Sequence, residues 1–393
     1  MQSADTTQNS PNAPAPLNPR LPQSSQLTVT AYHDRLSAHC FRHDSYEVLF
    51  SSPFVRGLGA LYSLAQAERG CQSVYVVIDE RASSLLPDVI SQTSVSGLKL
   101  LGKSFIVGAE SNKSISSVER LWRDMHETGV LRRTLLLALG GGVACDVAGF
   151  VASSYMRGIP YALVPTTLMG QVDAAIGGKV GFNLLDQKNL IGSFYQPLGI
   201  VVDTALLDAL PDRVLAAGLA EVVKVGVIGC PALFDLVEDA SLDKLRTHTA
   251  LTRRIVELAV TEKLRHLSSD PTEVGDLRRA LNFGHCVGHA IEAVLRYEWL
   301  HGECVSVGIA VACRAGERSG LTSSSVSHRV HKVLGGLGLP IYVPMEISEQ
   351  VWQHLENIGN VRNGELNLVV PGEIGEALVL PQWPAAVSWE EVA

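Results

Sequence analysis

Three consecutive glycines, Gly140, Gly141 and Gly142, follow the apolar run LLLAL, and lysines and asparagines in otherwise apolar surroundings come soon after. Glycines at the end of a strand let backbone N–H groups approach a pyrophosphate, whose charge a following helix N-terminus attracts. A strand-to-helix turn also uses glycine for positive φ alone, and GGG is not GxGxxG, so both readings stay open. Asp146 likewise suits the first turn of such a helix, where a carboxylate meets the positive end of the dipole. Arg157 in SYMRG and Lys179, Lys188 and Asn189 in GGKVGFNLLDQKN are suited to phosphate or carboxylate oxygens, and Lys263, Arg278 and Asn282 extend that set.

His285 and His289 lie four apart in LNFGHCVGHAIEA, so on a helix they share a face. His301 opens HGE, and Glu221 sits in AEVVK three residues before Lys224. A histidine alone is more often a satisfied structural side chain, and a lone Glu–Lys pair usually decorates a helix surface. Two imidazoles and a carboxylate together make an open Zn²⁺ site with room for substrate oxygens. Glycine turn, cations and metal ligands in one chain point to a nucleotide held beside a small anionic substrate.

Such groups need a scaffold, and the first half of the chain supplies alternating strand and helix signals. SVYVVIDE (73–80), a strand within LKLLGKSFIV (98–107) and TLLLAL (134–139) alternate with the helically spaced ISSVERLWRDMHETGV (115–130). Alternation of this kind implies a parallel sheet covered on both faces, with ligands at the strands' carboxyl ends. Beyond Pro211 the segments RVLAAGLAEVVKVGVIG, ALFDLVEDASLDKLRTH, ALTRRIVELAVTEKLRHL, LNFGHCVGHAIEAVLRY and GECVSVGIAVACRAGERSG have helical periodicity, with few strand signals until LNLVVPG. The expected organisation is a disordered tail at 1–26, an α/β nucleotide-binding domain at 27–210 and a mainly helical domain at 211–393 that closes over it. The tail is rich in Pro, Ser, Asn and Gln and too poor in large apolar side chains to offset chain entropy.

A length of 393 residues accommodates two domains. The net charge of −8 and pI near 5.8 argue against nucleic acid or an anionic membrane as partner, so an anionic substrate must meet a local basic pocket. The cysteines Cys40, Cys71, Cys145, Cys230, Cys286, Cys304 and Cys313 form no CxxC pair and read as reduced thiols of a cytoplasmic protein. The run from Leu135 to Ala152 is apolar, but its glycines and Asp146 fit a buried strand, turn and helix rather than a membrane span.

The motifs GGGVACDVAGFVASSYMRG, VPTTLMGQVDAAIGGK, KNLIGSFYQP, AEVVK, LNFGHCVGHAIE and HGE resemble, in that order, the 3-dehydroquinate synthase family of sugar phosphate cyclases. The likeness runs from ESNKS at 110–114 to HGE at 301–303. It implies an N-terminal Rossmann-like NAD-binding domain with a parallel sheet, then a mainly α-helical metal-binding domain, assembled as a homodimer. Glu221, His285 and His301 take the places of the family's Zn²⁺ ligands, a site that Co²⁺ also suits. Asp79, Glu110, Lys113, Gly140, Gly141, Gly142, Asp146, Thr166, Thr167 and Lys188 fall where the family contacts NAD⁺. Asp173, Lys179, Lys224 and His289 match catalytic positions, while Lys179, Lys188, Asn189, Lys263, Arg278, Asn282 and His289 match substrate-binding or catalytic ones, and Arg157 matches an arginine that reaches the partner subunit's substrate.

The implied reaction converts 3-deoxy-arabino-heptulosonate 7-phosphate to 3-dehydroquinate by transient oxidation, phosphate elimination, re-reduction and intramolecular aldol closure. Lys263 and Arg278 fit the substrate's carboxylate. Departures fall where substrates are distinguished. Asn183 is followed by Leu184 and Leu185 instead of the family's usual His-Pro, and ENIGNVRNGELNLVVPG has Arg362 but no Asp-Lys-Lys. DPTEVGDLRR is one residue longer than usual before Arg278. The alternatives are a cyclase of secondary metabolism acting on an amino analogue, sedoheptulose 7-phosphate or glucose 6-phosphate, a net NAD-dependent polyol dehydrogenase, and a catalytically silent binding protein.

Overall fold

The computed structural model describes residues 25–31, 36–42, 45–185, 187–273, 278–361 and 366–393. Nearly all of the expected tail at 1–26, and Arg362, lie outside this set, while Ser25 and Gln26 belong to a strand. Strands β1 (Ser25–Ala31) and β2 (Leu36–Arg42) pair antiparallel in a unit of their own.

The second unit, Tyr46–Ala393, is one compact body. Its first part holds β3 (Glu47–Phe50), α1 (Phe54–Arg69), β4 (Ser73–Asp79), α2 (Leu86–Val95), β5 (Lys99–Ile106), α3 (Ile115–Glu127), β6 (Thr134–Gly140), α4 (Gly142–Ser154), β7 (Tyr161–Pro165), β8 (Lys179–Leu184), β9 (Gln187–Phe194) and β10 (Gly199–Val202). Next come α5 (Asp212–Gly229), α6 (Pro231–Glu238), α7 (Leu242–Thr247), α8 (Thr249–Ser268), α9 (His285–Val294), α10 (His301–Arg318), α11 (Ser324–Gly336) and α12 (Ser348–Val361), and then a hairpin of β11 (Leu368–Pro371) and β12 (Ala377–Leu380).

Six strands form a parallel sheet in the order β3-β10-β7-β6-β4-β5. All seven residues of β6 are buried. Leu135, Leu137 and Leu139 pack on one face with Val74, Val76 and Ile78 of β4, while Leu136 and Ala138 join Tyr75 and Val77 on the other. This period-2 division is what a sheet covered on both faces requires, and it makes the strands read as continuous apolar runs. After β5 the chain returns to the other side of β4, so direction reverses between β4 and β6. Their carboxyl ends, Asp79 and Gly140, flank the crevice where such sheets bind ligands.

Among the helices, α5 is buried without interruption from Leu215 to Ile228, which marks it as the centre of the helical part. Two of the helically periodic segments are interrupted. ALFDLVEDASLDKLRTH is not one helix, because Ser241 caps a new start by accepting from the Lys244 amide. LNFGHC is not helical throughout, because Gly284, at φ 78, delays the start of α9 to His285. Among the described residues no helix is long and apolar enough to cross a membrane.

Candidate active site

Backbone builds the strand-end side. Gly140 ends β6, Gly141 is the N-cap of α4, and no side chain caps that helix, so its first amides face outward. A Cβ on Gly140 would stand 2.7 Å from Ala144 Cβ and 2.8 Å from Asp79 Cβ. One on Gly108 would stand 2.0 Å from Asp79 Oδ2. Both glycines therefore make room for Asp79, which is buried at the end of β4 and accepts from the Arg81 amide. The Thr166 amide donates to Gly140 O at 2.9 Å, and Thr167 Oγ1 accepts from the Gly170 amide at 3.1 Å. The crevice floor is thus fixed by side chains that serve the backbone.

A polar network leads from this floor to the antiparallel β8–β9 hairpin. Lys113 donates to Asp146 at 2.5 Å and also to Asn189 Oδ1. Asn183 donates to Glu110 at 2.9 Å and accepts from the Asn189 amide at 2.9 Å. Burial raises the Asp146 pKa against the opposing pull of the Lys113 ammonium. Lys188, further along the hairpin, donates to Glu292 of α9 at 2.7 Å. Burial disfavours its charge, but the Glu292 and Glu110 carboxylates outweigh that and raise its pKa.

Side chains on three helices build the opposite side. Glu221 lies in the middle of α5, while His285 and His301 are the first residues of α9 and α10. Glycines let these helices meet backbone to backbone. A Cβ on Gly302 would come 1.8 Å from Ala217 O, and one on Gly308 would come 1.9 Å from Gly284 O. The resulting approach brings both imidazole Nε2 atoms within 3.5 Å of Glu221 Oε1, and one donor atom from each residue lies within 4.8 Å of the others.

The outer nitrogens set the tautomers. His285 Nδ1 is 3.1 Å from Phe283 O, and His301 Nδ1 is 2.9 Å from Glu292 Oε1. A carbonyl and a carboxylate only accept, so each Nδ1 carries a proton, and each Nε2, the nitrogen that holds the lone pair when the ring is neutral, turns inward. Burial first, and then the Lys224 charge, push the His285 pKa down to about 4. Burial opposes charge on His301 too, but the Glu292 and Glu221 carboxylates outweigh it and raise its pKa to about 9, so a cation bound here must displace the His301 Nε2 proton.

Both Glu221 oxygens are buried and receive no well-formed hydrogen bond, although the Lys224 ammonium stands against one of them. A fully buried carboxylate whose only close charge partner among the described residues is Lys224, faced by two imidazole Nε2 atoms, fits a divalent cation, and N₂O donor sets suit Zn²⁺. His289, one turn along α9, is exposed, with its ring 5.2 Å from that of His285 and 5.9 Å from that of His301.

Cations and carboxylates alternate away from this tripod. Lys224 reaches Asp173 at 3.8 Å, and Lys263 of α8 donates to the same carboxylate at 2.6 Å. Burial raises the Asp173 pKa, but Lys263 and Lys224 outweigh it and keep the carboxylate ionised. Lys179, at the start of β8, pairs with Glu273 at 2.5 Å. Arg278 is buried, donates to Asp270 O and Pro271 O at 3.3 and 3.2 Å, and lies 3.9 Å from Glu273.

The structure therefore joins most of the expected polar residues into neighbouring networks. The side chains of Asp79 and Thr167 bond local amides instead. Those of Thr166 and His289 make no hydrogen bond or ion pair to the networks among the described residues, and two more stand apart. Arg157 is exposed in a turn at φ 65, and Asn282 is exposed beyond Arg278. Among the described residues neither has a side-chain hydrogen bond or ion pair to these networks. Glu292 and Glu273 were missed by sequence reasoning. A carboxylate three residues after His289 on the same helical face is a signal that could have found Glu292. Glu273 falls in DPTEVGDLRR, the segment whose extra residue before Arg278 was the signal available for it.

Models of the 3-dehydroquinate synthase N-terminal and C-terminal regions match residues 103–217 and 218–358. A 2-epi-valiolone synthase of Stigmatella aurantiaca is 40% identical over 88% of this chain and 87% of its own. A 3-dehydroquinate synthase of Mycobacterium leprae is 40% identical over 67% of this chain and 73% of its own. The solved 2-epi-5-epi-valiolone synthase ValA of Streptomyces hygroscopicus, with NAD⁺ and Zn²⁺ bound, superposes with a TM-score of 0.80 at 28% identity, covering 91% of this chain and 97% of that one.

Proposed function

The chain belongs to the 3-dehydroquinate synthase family of sugar phosphate cyclases, and from that premise we propose an NAD⁺- and zinc-dependent lyase that closes sedoheptulose 7-phosphate into a carbocycle and releases phosphate. The tripod of Glu221, His285 and His301, with both Nε2 atoms turned inward beside an uncapped glycine helix start, carries this reading. NAD⁺ supplies a hydride acceptor restored within each turnover, and Zn²⁺, or Co²⁺ in its place, supplies Lewis acidity towards adjacent substrate hydroxyls.

The chain's own groups divide the remaining work. The amides of Gly141 and Gly142 would hold the pyrophosphate, and Asp79 would face the adenosine side of NAD⁺. Glu110, Lys113, Asp146, Thr166, Thr167 and Lys188 shape the rest of the cofactor site. Asp173 stays ionised between two ammonium groups, so it orients Lys224 and Lys263 rather than storing a proton. Lys179, Asn189, Lys263, Arg278, Asn282 and His289 face the sugar phosphate, and the exposed His289 ring is free to bond to it. The division near residues 210–211 then separates a cofactor half from a metal half. The working form is a cytoplasmic homodimer in which Arg157 serves the partner's site.

Two features support the neutral ketose. The Stigmatella relative matches nearly the whole chain and is named for a ketone without an acid group. Asn183-Leu184-Leu185 also replaces the pair usual in enzymes acting on the heptulosonate, and Leu185 is 80% exposed. The second reading is conversion of 3-deoxy-arabino-heptulosonate 7-phosphate to 3-dehydroquinate, favoured by the retained Lys263 and Arg278.

Incubating the protein with NAD⁺, Zn²⁺ and each of these sugar phosphates or glucose 6-phosphate, and measuring phosphate release, separates the readings. Release from sedoheptulose 7-phosphate without net NADH is expected. Release from the heptulosonate alone would transfer the assignment to the second reading, and accumulating NADH would point to a dehydrogenase.

A further inference from the structure

We propose that Gln171 is a positioning residue, whose side-chain amide ties the turn carrying Asp173 to the ends of two strands and so sets where Lys224 and Lys263 stand. The proposal deepens the cyclase reading and rests on it. Strands β7 and β10 are neighbours in the sheet, but their pairing stops at Leu163 and Ile200, short of the strand ends at Pro165 and Val202. Gln171 fills the gap that follows. Its Nε2 donates to Pro165 O at 3.2 Å and to Asp203 O at 2.8 Å. Both carbonyls only accept, so the amide turns its NH₂ to them, one hydrogen to each. Asp203 is itself held, because its carboxylate accepts from the Phe54 and Ala205 amides at 2.8 and 3.0 Å.

Gln171 belongs to a π-helical turn, Gly170–Ala174, closed by the bond from the Ala175 amide to Gly170 O at 3.1 Å. Single wide turns of this kind recur at functional sites. Residues two apart on a helical turn point to opposite sides. While Gln171 faces the strand ends, Asp173 therefore faces α5 and α8, where it meets Lys224 and Lys263. The line of contacts continues from Lys224 to Glu221. Helix α5 also presses on the residues leading into this turn, since a Cβ on Gly218 would come 2.6 Å from Leu168 Cβ. Gln171 is fully buried, and its Oε1 has no hydrogen-bond partner among the described residues. An acceptor orphaned in the core costs free energy, so this side chain is a poor stabiliser but a good double donor at one fixed place.

The test is a double-mutant cycle on the protein loaded with NAD⁺ and Zn²⁺, read as kcat/KM for phosphate release from whichever sugar phosphate it turns over. Gln171→Met keeps the length of the side chain and removes both donors. In the wild-type background it should lower kcat/KM roughly ten- to a hundredfold, the penalty for displacing a placed group by about 1 Å. In the Asp173→Asn background it should cost less than about twofold, because the residue it acts through is already disabled. A merely structural role would cost the same factor in both backgrounds, and that result overturns the proposal, as does wild-type kcat/KM in Gln171→Met. Should Gln171→Met not fold, Gln171→Glu, which must be protonated to donate to even one of the two carbonyls, goes through the same cycle with the same expected outcome.

A crystal structure of the same variant gives a second readout that needs no turnover. Lys263 Nζ should stand beyond hydrogen-bond distance of the Asp173 carboxylate, and a contact kept at its present 2.6 Å overturns the proposal. If the wild type releases phosphate from none of the sugar phosphates, the cyclase reading fails, while the Lys263–Asp173 distance in the variant still decides the role of Gln171.

Discussion

The two sides of the site reach their geometry by opposite means. At the sheet, the chain presents backbone: β6 stops at Gly140, α4 starts uncapped at Gly142, and Thr167 serves the turn rather than the crevice. On the helical side it presents side chains from deep inside apolar elements. Glu221 and Lys224 sit on a helix buried from Leu215 to Ile228, and both are 2% exposed or less. A buried charge pair in such a helix is poor value as a source of stability, since desolvation rivals the attraction. Backbone amides at a helix start come with the fold, whereas a buried carboxylate is kept at a cost. The difference suggests that substitution on the helical side should damage function and stability together, whereas at the sheet the two should separate.

Replacing a tripod residue should give the largest effect. Glu221→Gln removes the ligand charge and also strips Lys224 of its buried partner. Loss of several kcal/mol of Lewis-acid stabilisation corresponds to a fall in phosphate release of roughly a thousandfold. Zinc content by atomic absorption should fall in parallel. His285→Ala tests the same site without disturbing Lys224 directly, and full activity with full zinc in that variant would remove the metal assignment.

The helix contacts behind the tripod come next. In Gly302→Ala the added Cβ would meet Ala217 O at 1.8 Å, so α5 and α10 must separate. Overpacking of this kind should cost about 1–3 kcal/mol and lower the melting temperature. Because Gly302 adjoins His301, zinc affinity should weaken as well. An unchanged melting temperature would mean that the interhelical contact does not set the ligand spacing.

Glu292→Gln is subtler, because it leaves all three ligands in place. Glu292 fixes the His301 ring through Nδ1 and takes the Lys188 charge. Loss of such an orienting carboxylate typically weakens metal affinity by about 10- to 100-fold. A competitive zinc titration would detect this, and wild-type affinity would show that His301 holds its orientation without Glu292.

What could be read from the sequence follows the same division. Strands β4 and β6 were legible because burial on both faces makes them continuous apolar runs, whereas the edge strand β5 is only partly buried and showed as no more than a strand within LKLLGKSFIV. The β8–β9 hairpin was not, because Lys188 and Asn189 interrupt the pattern and β9 is buried only in part. Residues of the tripod were legible through their motifs, but their convergence depends on glycines whose role appears only when α5, α9 and α10 meet. Lys188 and Glu292 stand 104 residues apart, and no local spacing links them. Glu273 was hidden for a related reason, since its nearer partner, Lys179, lies far back in the sequence at the start of β8.

The smallest effect tests the sheet side. A Cβ on Gly141 would come 3.2 Å from Thr167 Cγ2, a contact that a slight shift can relieve, and its φ of −76 suits any residue. Gly141→Ala should therefore leave the melting temperature near that of the wild type. Yet the methyl would stand at the helix start where the pyrophosphate must approach the amides. Weakening one such hydrogen bond costs about 1 kcal/mol, or roughly fivefold in NAD⁺ affinity by fluorescence titration. A variant that loses affinity without losing stability would bear out the separation of the two properties on this side. Equal NAD⁺ affinity would mean that the dinucleotide does not contact the Gly141–Gly142 turn, and the glycines would then be explained by the close packing of Gly140 against Asp79 and Ala144 alone.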